Sequence, residues 1–162
     1  MNKKDFHRTM VIDGNAMKYR VLGTAQIDGY RLAFNAYSCI RQGGVLDIEK
    51  YGEKCVIGIL YELSEEAIKK LDIREGSKYK RIQVEVRVGN QKIKAYTYII
   101  KEKIKTRANV KYSGIVYHAM LENSFPQQYI DEFVKMVRIS IYGSEENYFE
   151  YKANQKKELS YG

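Results

Sequence analysis

The residues best placed to do chemistry lie in the string Leu71-Asp72-Ile73-Arg74-Glu75-Gly76, with Tyr79 and Arg81 close behind it. Glu75 precedes a glycine, between the end of a short helical pattern and the start of an alternating one. A carboxylate fixed at such a junction can be partly withdrawn from water, which raises its pKa toward values useful to a general base. The plain alternative is that Glu75 occupies a turn and Gly76 caps the helix. These residues alone leave both readings open. Other chemistry has less to work with. Cys39 and Cys55 form no C-x-x-C, and only His7 and His118 accompany them, so no metal site of the cysteine–histidine kind is expected. Reduced, buried thiols are expected instead. No G-x-G-x-x-G or P-loop spacing occurs.

The elements that must position Glu75 can be read from periodicity. Residues 3–12 could form a short helix, stopped by Asp13-Gly14-Asn15. Lys18 to Ile27 and Tyr30 to Tyr37 read as strands with Gly29 as the turn between them. Gly43-Gly44 punctuates the next loop. Val45 to Ile48 and Lys54 to Leu63 read as two more strands, parted by a Tyr51-Gly52 turn. Gly58 inside the second suggests a bulge or a close backbone approach. Ser64-Glu65-Glu66 then gives an N-cap and an acidic first turn, with Ala67, Ile68 and Leu71 as a helical stripe. Tyr79 to Val88 alternates strictly, Gly89-Asn90 turns, and Lys92 to Lys101 returns as the partner strand. Tyr112 to Leu121 and Pro126 to Val137 have helical spacing. This order predicts an α+β domain over residues 1–139, built round a mixed, partly closed, barrel-like sheet with short flanking helices. Residues 140–162 are expected as a C-terminal tail or appended strand.

The chain has 162 residues, enough to bury one core, and 44% of them are apolar. Its net charge of +8 is spread along the chain rather than gathered into one face, so neither a nucleic-acid nor a membrane partner is expected. No apolar run approaches the roughly 20 residues of a membrane span. The opening MNKKDF lacks a signal-peptide core, and a cytoplasmic protein is expected.

The string GILYELSEEAIKKLDIREGSKYKRIQVEV from Gly58 resembles the γ-glutamylcyclotransferase family, also called AIG2-like, with its G-x-LY-x-L strand, LD-x-x-EG helix end and Y-x-R strand start. Leu22-Gly23-Thr24-Ala25, Gly29-Tyr30-Arg31-Leu32-Ala33-Phe34-Asn35 and Ala95-Tyr96-Thr97-Tyr98 are similar to further family strings. The resemblance implies the γ-glutamylcyclotransferase-like fold. It also implies an enzyme that lets the α-amino group of a γ-glutamyl compound attack its own γ-carbonyl, giving 5-oxoproline and a free amine or amino acid. Attack within one molecule needs mainly geometry and proton transfer, so no cofactor and no metal are implied. Glu75 would move the protons. Tyr112, at the tyrosine of the family's PS-x-x-Y element, would contact substrate. Arg81 is a further substrate-binding candidate, against the plain alternative of a surface ion-pair partner.

Three departures bear on activity. The family opens with a strand ending YGSN, whose backbone N–H groups cradle the substrate. Met1-Asn2-Lys3-Lys4-Asp5-Phe6 resembles the stretch immediately C-terminal to that element, so the resemblance implies that the first strand and cradle are not among these residues. A misplaced start, an inactive relative that binds a small ligand or a protein, or replacement by Tyr148 to Asn154 (YFEYKAN, similar to the family's YFAYGSN) would each account for this. An unfilled strand position would also leave an edge that invites pairing into a homodimer. The proline and serine before the family's tyrosine are replaced by Asn109 and Val110 or their neighbours, and its GA by His118-Ala119.

Overall fold

The computed structural model of the chain describes residues 18–160. The helix expected over 3–12 lies outside them. Four strands and four helices follow in chain order: β1 (Tyr19–Ser38), β2 (Gly43–Leu63), α1 (Glu65–Glu75), β3 (Tyr79–Val88), β4 (Gln91–Ile100), α2 (Val110–Glu122), α3 (Gln127–Tyr142) and α4 (Glu145–Ser160). The sheet runs β2-β1-β3-β4, and its strand pairs are antiparallel. The chain therefore has the expected α+β class, but the described strands do not mix directions and backbone pairing does not close them into a barrel. The two edges still meet at one point. The Asp47 carboxylate on β2 accepts a hydrogen bond from the Ile100 N–H on β4 at 3.2 Å, a side chain standing in for a missing backbone rung.

Four expected strands are in fact two. β1 continues through Gly29, where the register steps from Asp28 opposite Cys55 to Tyr30 opposite Lys50. Gly29 at φ 76° and Gly52 at φ 41° let both strands bend there without ending. The bulge also changes the parity of β1, so Tyr30 packs in the same cluster as Ala25 and Ile27. A glycine between two alternating runs is compatible with either a turn or a bulge; pairing with one long partner decides for the bulge.

Side chains of β1 to β4 alone build one apolar cluster around Ala25, Val84 and Val86, as a sheet does when it curls on itself. On the opposite side of the pleat, Ala67 and Leu71 of α1 pack against Tyr19, Tyr61, Leu63 and Tyr98. A third cluster joins Met120, Ile130 and Phe133 of α2 and α3 to Leu32 and Leu46.

Residues 145–160 form a helix, not a tail or an appended strand. Ser144 accepts a hydrogen bond from the Asn147 N–H at 3.1 Å, and Glu145 and Glu146 supply an acidic first turn. Tyr148 and Tyr151 pack on Tyr142 of α3, with Arg138 over the Tyr148 ring and Lys135 paired to Glu145 at 2.7 Å. The YFEYKAN segment thus lies within a helix docked on α3, and does not replace a strand. α3 itself runs through the expected boundary after residue 139. The cysteines are free, but neither is fully buried: Cys39 is exposed in the turn joining β1 to β2, and Cys55 is half-buried on β2.

Candidate active site

Glu75 is the last residue of α1, and the sequence fixes both ends of that helix. Ser64 Oγ accepts from the Ala67 N–H at 3.2 Å, and Gly76 at φ 65° closes the last turn with its N–H on the Asp72 carbonyl. A single 3₁₀ turn, Gly76–Lys78, then leads directly into β3 at Tyr79. Glu75 is consequently held between two regular elements, with no flexible connection on either side. The plain reading of Glu75-Gly76 holds, since the glycine is a helix cap, and that cap fixes the backbone that carries the carboxylate.

The last turn of α1 is pinned to the sheet by Asp72. Its carboxylate accepts from the Tyr98 hydroxyl at 2.7 Å and pairs with Arg81 at 3.0 Å. Burial, then the hydrogen bond to Asp72 and its charge, push the Tyr98 phenol up to about 12. Arg81 also stands over the Tyr96 ring, 5.0 Å from its centre. It is therefore occupied in holding α1.

Glu75 is half-buried, and burial raises its pKa above the ordinary carboxylate value; the neighbouring Arg74 opposes this. Tyr79 follows one turn later. Burial raises its phenol as well, helped by the negative charges of Glu75 and Asp47. Tyr79 lines a cleft of about 380 Å³ together with Tyr37, Arg41, Val45, Lys78 and Tyr112. Tyr112, in the first turn of α2, packs with Tyr79 on Ala36, Val45 and Ile100. Burial raises its pKa, while a Leu46 backbone hydrogen bond and the Arg41 charge pull it down. The structure thus brings Tyr79 and Tyr112 together in one cleft; Glu75 does not line it, and is linked to it through its charge acting on Tyr79. Arg81, two residues beyond Tyr79, does not line the cleft.

The cleft is held open by a residue that does not stand out as a site residue in the sequence. Asn109 caps α2, its Oδ1 accepting from the Tyr112 N–H at 2.8 Å, while its Nδ2 donates to the Arg41 carbonyl at 2.7 Å. One side chain therefore fixes both the Tyr112 backbone and the turn that carries Arg41, whose guanidinium stands 5.0 Å from the centre of the Tyr112 ring. Close packing of backbones makes this possible. Gly44 donates its N–H to the Arg107 carbonyl at 2.9 Å, and a Cβ on Gly44 would collide with that carbonyl. A Cβ on Gly43 would lie 2.9 Å from Asn109 Cβ. Asn109 carries a local cap signal, three residues before Tyr112. Arg41 carries none, since the Asn109 amide that holds its carbonyl and the Tyr112 ring that faces its guanidinium are about 70 residues away.

Asp47 completes the surroundings. It is buried, and besides the Ile100 N–H it faces Lys103 Nζ at 3.0 Å. Among the described residues no three His, Cys, Asp or Glu side chains gather as a metal site would require. A wider groove of about 960 Å³ lies between the bent β1–β2 ribbon and α3, and none of Glu75, Tyr112 or Arg81 lines it. Among the described residues no helix is long and apolar enough to cross a membrane.

Comparison with known proteins gives the family. The model of the family "Gamma-glutamyl cyclotransferase, AIG2-like" matches residues 1–118. No curated protein matches the chain. Among solved structures, one titled gamma-glutamyl cyclotransferase is similar at TM-score 0.71 and 17% identity, over 80% of this chain and 79% of that one. The uncharacterized protein loc79017 from Homo sapiens is similar at TM-score 0.67 and 21% identity, over 72% and 73%. YkqA from Bacillus subtilis is similar at TM-score 0.70 and 17% identity, over 85% of this chain but 50% of that one. At these identities the structures support the fold alone.

Proposed function

On the premise that the chain belongs to the gamma-glutamyl cyclotransferase, AIG2-like family, we propose that it converts a small γ-glutamyl compound to 5-oxoproline with release of an amine or amino acid. The observation that carries this reading is the burial-raised carboxyl of Glu75, fixed at the EG turn beside the Tyr79–Tyr112 cleft.

The chemistry asks little beyond what such a site can supply. The α-amino nitrogen attacks the γ-carbonyl, the new C–N bond closes a five-membered ring, and the old C–N bond breaks. Glu75 takes a proton from the α-ammonium and returns it to the departing nitrogen. Because nucleophile and electrophile belong to one molecule, holding the folded conformer supplies much of the rate advantage. A carboxyl with a raised pKa is the stronger base once ionised, and it is poised to give the proton back. Tyr112 lines the substrate cavity. Arg81 acts through Asp72 as a positioning residue that holds the end of α1. The reaction as drawn uses no cofactor, and we place it in the cytoplasm.

The test is 5-oxoproline release from a panel of γ-glutamyl amino acids and γ-glutamyl amines, with Glu75→Gln alongside. Loss of proton transfer should reduce kcat by about 100- to 10,000-fold. Undiminished turnover in Glu75→Gln would remove Glu75 from the mechanism. Absence of release from every substrate, with binding retained, would make the cleft a ligand-binding site without catalysis.

A further inference from the structure

We propose that the groove between the bent β1–β2 ribbon and α3 binds a single-chain fatty acid, with its alkyl chain along α3 and its carboxylate at Lys105 and Arg107. No residue lines both this groove and the Tyr79–Tyr112 cleft, so the inference stands apart from the cyclotransferase reading. Tyr129, Phe133, Met136, Ile139 and Gly143 line the groove. Their spacing of three or four residues makes one stripe down α3, about 21 Å long from end to end. Ribbon and helix are tied together at both ends of this stripe. The Tyr129 hydroxyl accepts from the Ile57 N–H at 3.1 Å near one end, and Ser140 Oγ accepts from the Ala108 N–H at 2.9 Å near the other. Lys54 pairs with Glu132 at 3.2 Å beside the first tie. About 960 Å³ stays open between the ties.

The polar groups of the groove decide what fits it. Along the ribbon wall, Glu49 is already shared between Arg31 at 2.6 Å and Asn35 Nδ2 at 2.7 Å. Thr106 Oγ1 donates to the Phe34 carbonyl at 3.1 Å. These groups, like Lys54, Glu132 and Ser140, are engaged with one another and ask nothing of a ligand. Lys105 and Arg107 differ. Both line the groove, and among the described residues neither has a carboxylate partner. They flank Thr106, whose N–H is fixed on the Phe34 carbonyl at 2.9 Å, and so lie at the Ser140 end. The negative end of the α3 dipole is there too, but it amounts to about half a charge. The Tyr142 and Ile139 carbonyls are also taken up by Asn147 Nδ2 and the Gly143 N–H. Two full positive charges outweigh it.

A ligand matching this pattern is long, apolar along its body and anionic at one end. The floor is apolar, since Leu32, Phe133 and Met136 belong to the cluster that joins β1, α2 and α3, and Ile139 at the lip is 40% exposed. An extended peptide would need a partner for each buried N–H and carbonyl, and the polar groups along the wall are already committed. A helix satisfies its own backbone but is about 10–12 Å across. Spread over its length, the groove has a cross-section of only about 45 Å². An alkyl chain needs neither partners nor such width. The Arg107 guanidinium suits a planar carboxylate, which it can meet with two parallel hydrogen bonds.

The test is calorimetry on the full chain with decanoate, dodecanoate and tetradecanoate below the concentrations at which they aggregate, and with dodecanol as a neutral chain. Affinity should rise about 3- to 15-fold for every two methylenes added. Dodecanoate should bind about 10- to 100-fold more tightly than dodecanol. Lys105→Gln combined with Arg107→Gln should remove that difference and leave dodecanol unchanged, whereas Ile139→Glu should weaken both. Urea midpoints check that the variants fold, and the chain-length and dodecanol comparisons need no variant. Absence of binding by every chain overturns the proposal. So does an affinity independent of chain length, which would mean a contact with surface cations alone, or dodecanol as tight as dodecanoate. Dodecanoate binding unmoved by Ile139→Glu would place the chain elsewhere and overturn it too. Sedimentation with phosphatidylglycerol vesicles, lost in Ile139→Glu and without binding of free dodecanoate, would make the groove a membrane contact and equally overturn it.

Discussion

Replacing Asn109 tests whether one side chain holds the cleft together. Its Oδ1 caps α2 at 2.8 Å and its Nδ2 ties down the Arg41 carbonyl at 2.7 Å. Truncation to alanine removes both. Loss of an N-cap costs about 0.5–2 kcal/mol, and loss of a neutral hydrogen bond about 0.5–1.5 kcal/mol. The bond to Arg41 is exposed, so it contributes toward the lower end. The expected total for Asn109→Ala is about 1–3 kcal/mol, read as a lower urea midpoint with an unchanged slope. Asn109→Asp separates the two contributions. Aspartate keeps the cap and adds a favourable charge at the helix N-terminus, but it has no N–H to give and sets a carboxylate against the Arg41 carbonyl. Stability should therefore recover most of the way toward the unsubstituted protein, while the turn that carries Arg41 loosens. In the assay of 5-oxoproline release, both variants should raise KM. An Asn109→Ala protein within about 0.5 kcal/mol of the unsubstituted one, or an aspartate variant as destabilised as alanine, would refute this role for Asn109.

Two further outcomes come from the same geometry. Burial raises the Glu75 pKa, so the folded protein binds this proton more tightly than the unfolded chain, and Glu75 costs stability as pH rises above the ordinary carboxylate range. Glu75→Gln should then be the more stable protein at neutral pH, with the gap closing in acid where both states hold the proton; denaturation midpoints from mildly acidic to neutral pH read this, and a gap that widens in acid contradicts it. Gly44→Ala puts a Cβ against the Arg107 carbonyl and Thr106 Oγ1, backbone that cannot move aside without breaking the Gly44–Arg107 hydrogen bond. A loss of about 1–3 kcal/mol is expected, and a midpoint equal to that of the unsubstituted protein would show that the close approach does not exist.

What the sequence determined by itself is whatever short-range physics dictates. The β3–β4 hairpin comes from strict alternation about Gly89-Asn90, and α1 from Ser64-Glu65-Glu66 at one end and Gly76 at the other. The position of Glu75 at a helix cap was therefore legible, as was the family pattern that surrounds it. The same capping signal, Ser144-Glu145-Glu146, announces α4 and was there to be read; the tyrosines beyond it favour a strand and mask it. Only the tertiary structure decided the rest. Whether Gly29 and Gly52 end strands or bend them depends on the length and register of the partner, which no local window contains. Likewise Arg81 and Arg41 are both arginines near strand ends, and nothing local tells them apart. Asp72 and Tyr96 occupy the first, while the second meets Tyr112 and Asn109 from about 70 residues away. Charge is a property of the residue, but a charge left free to meet a ligand is a property of packing, because it depends on which carboxylates the fold brings within reach.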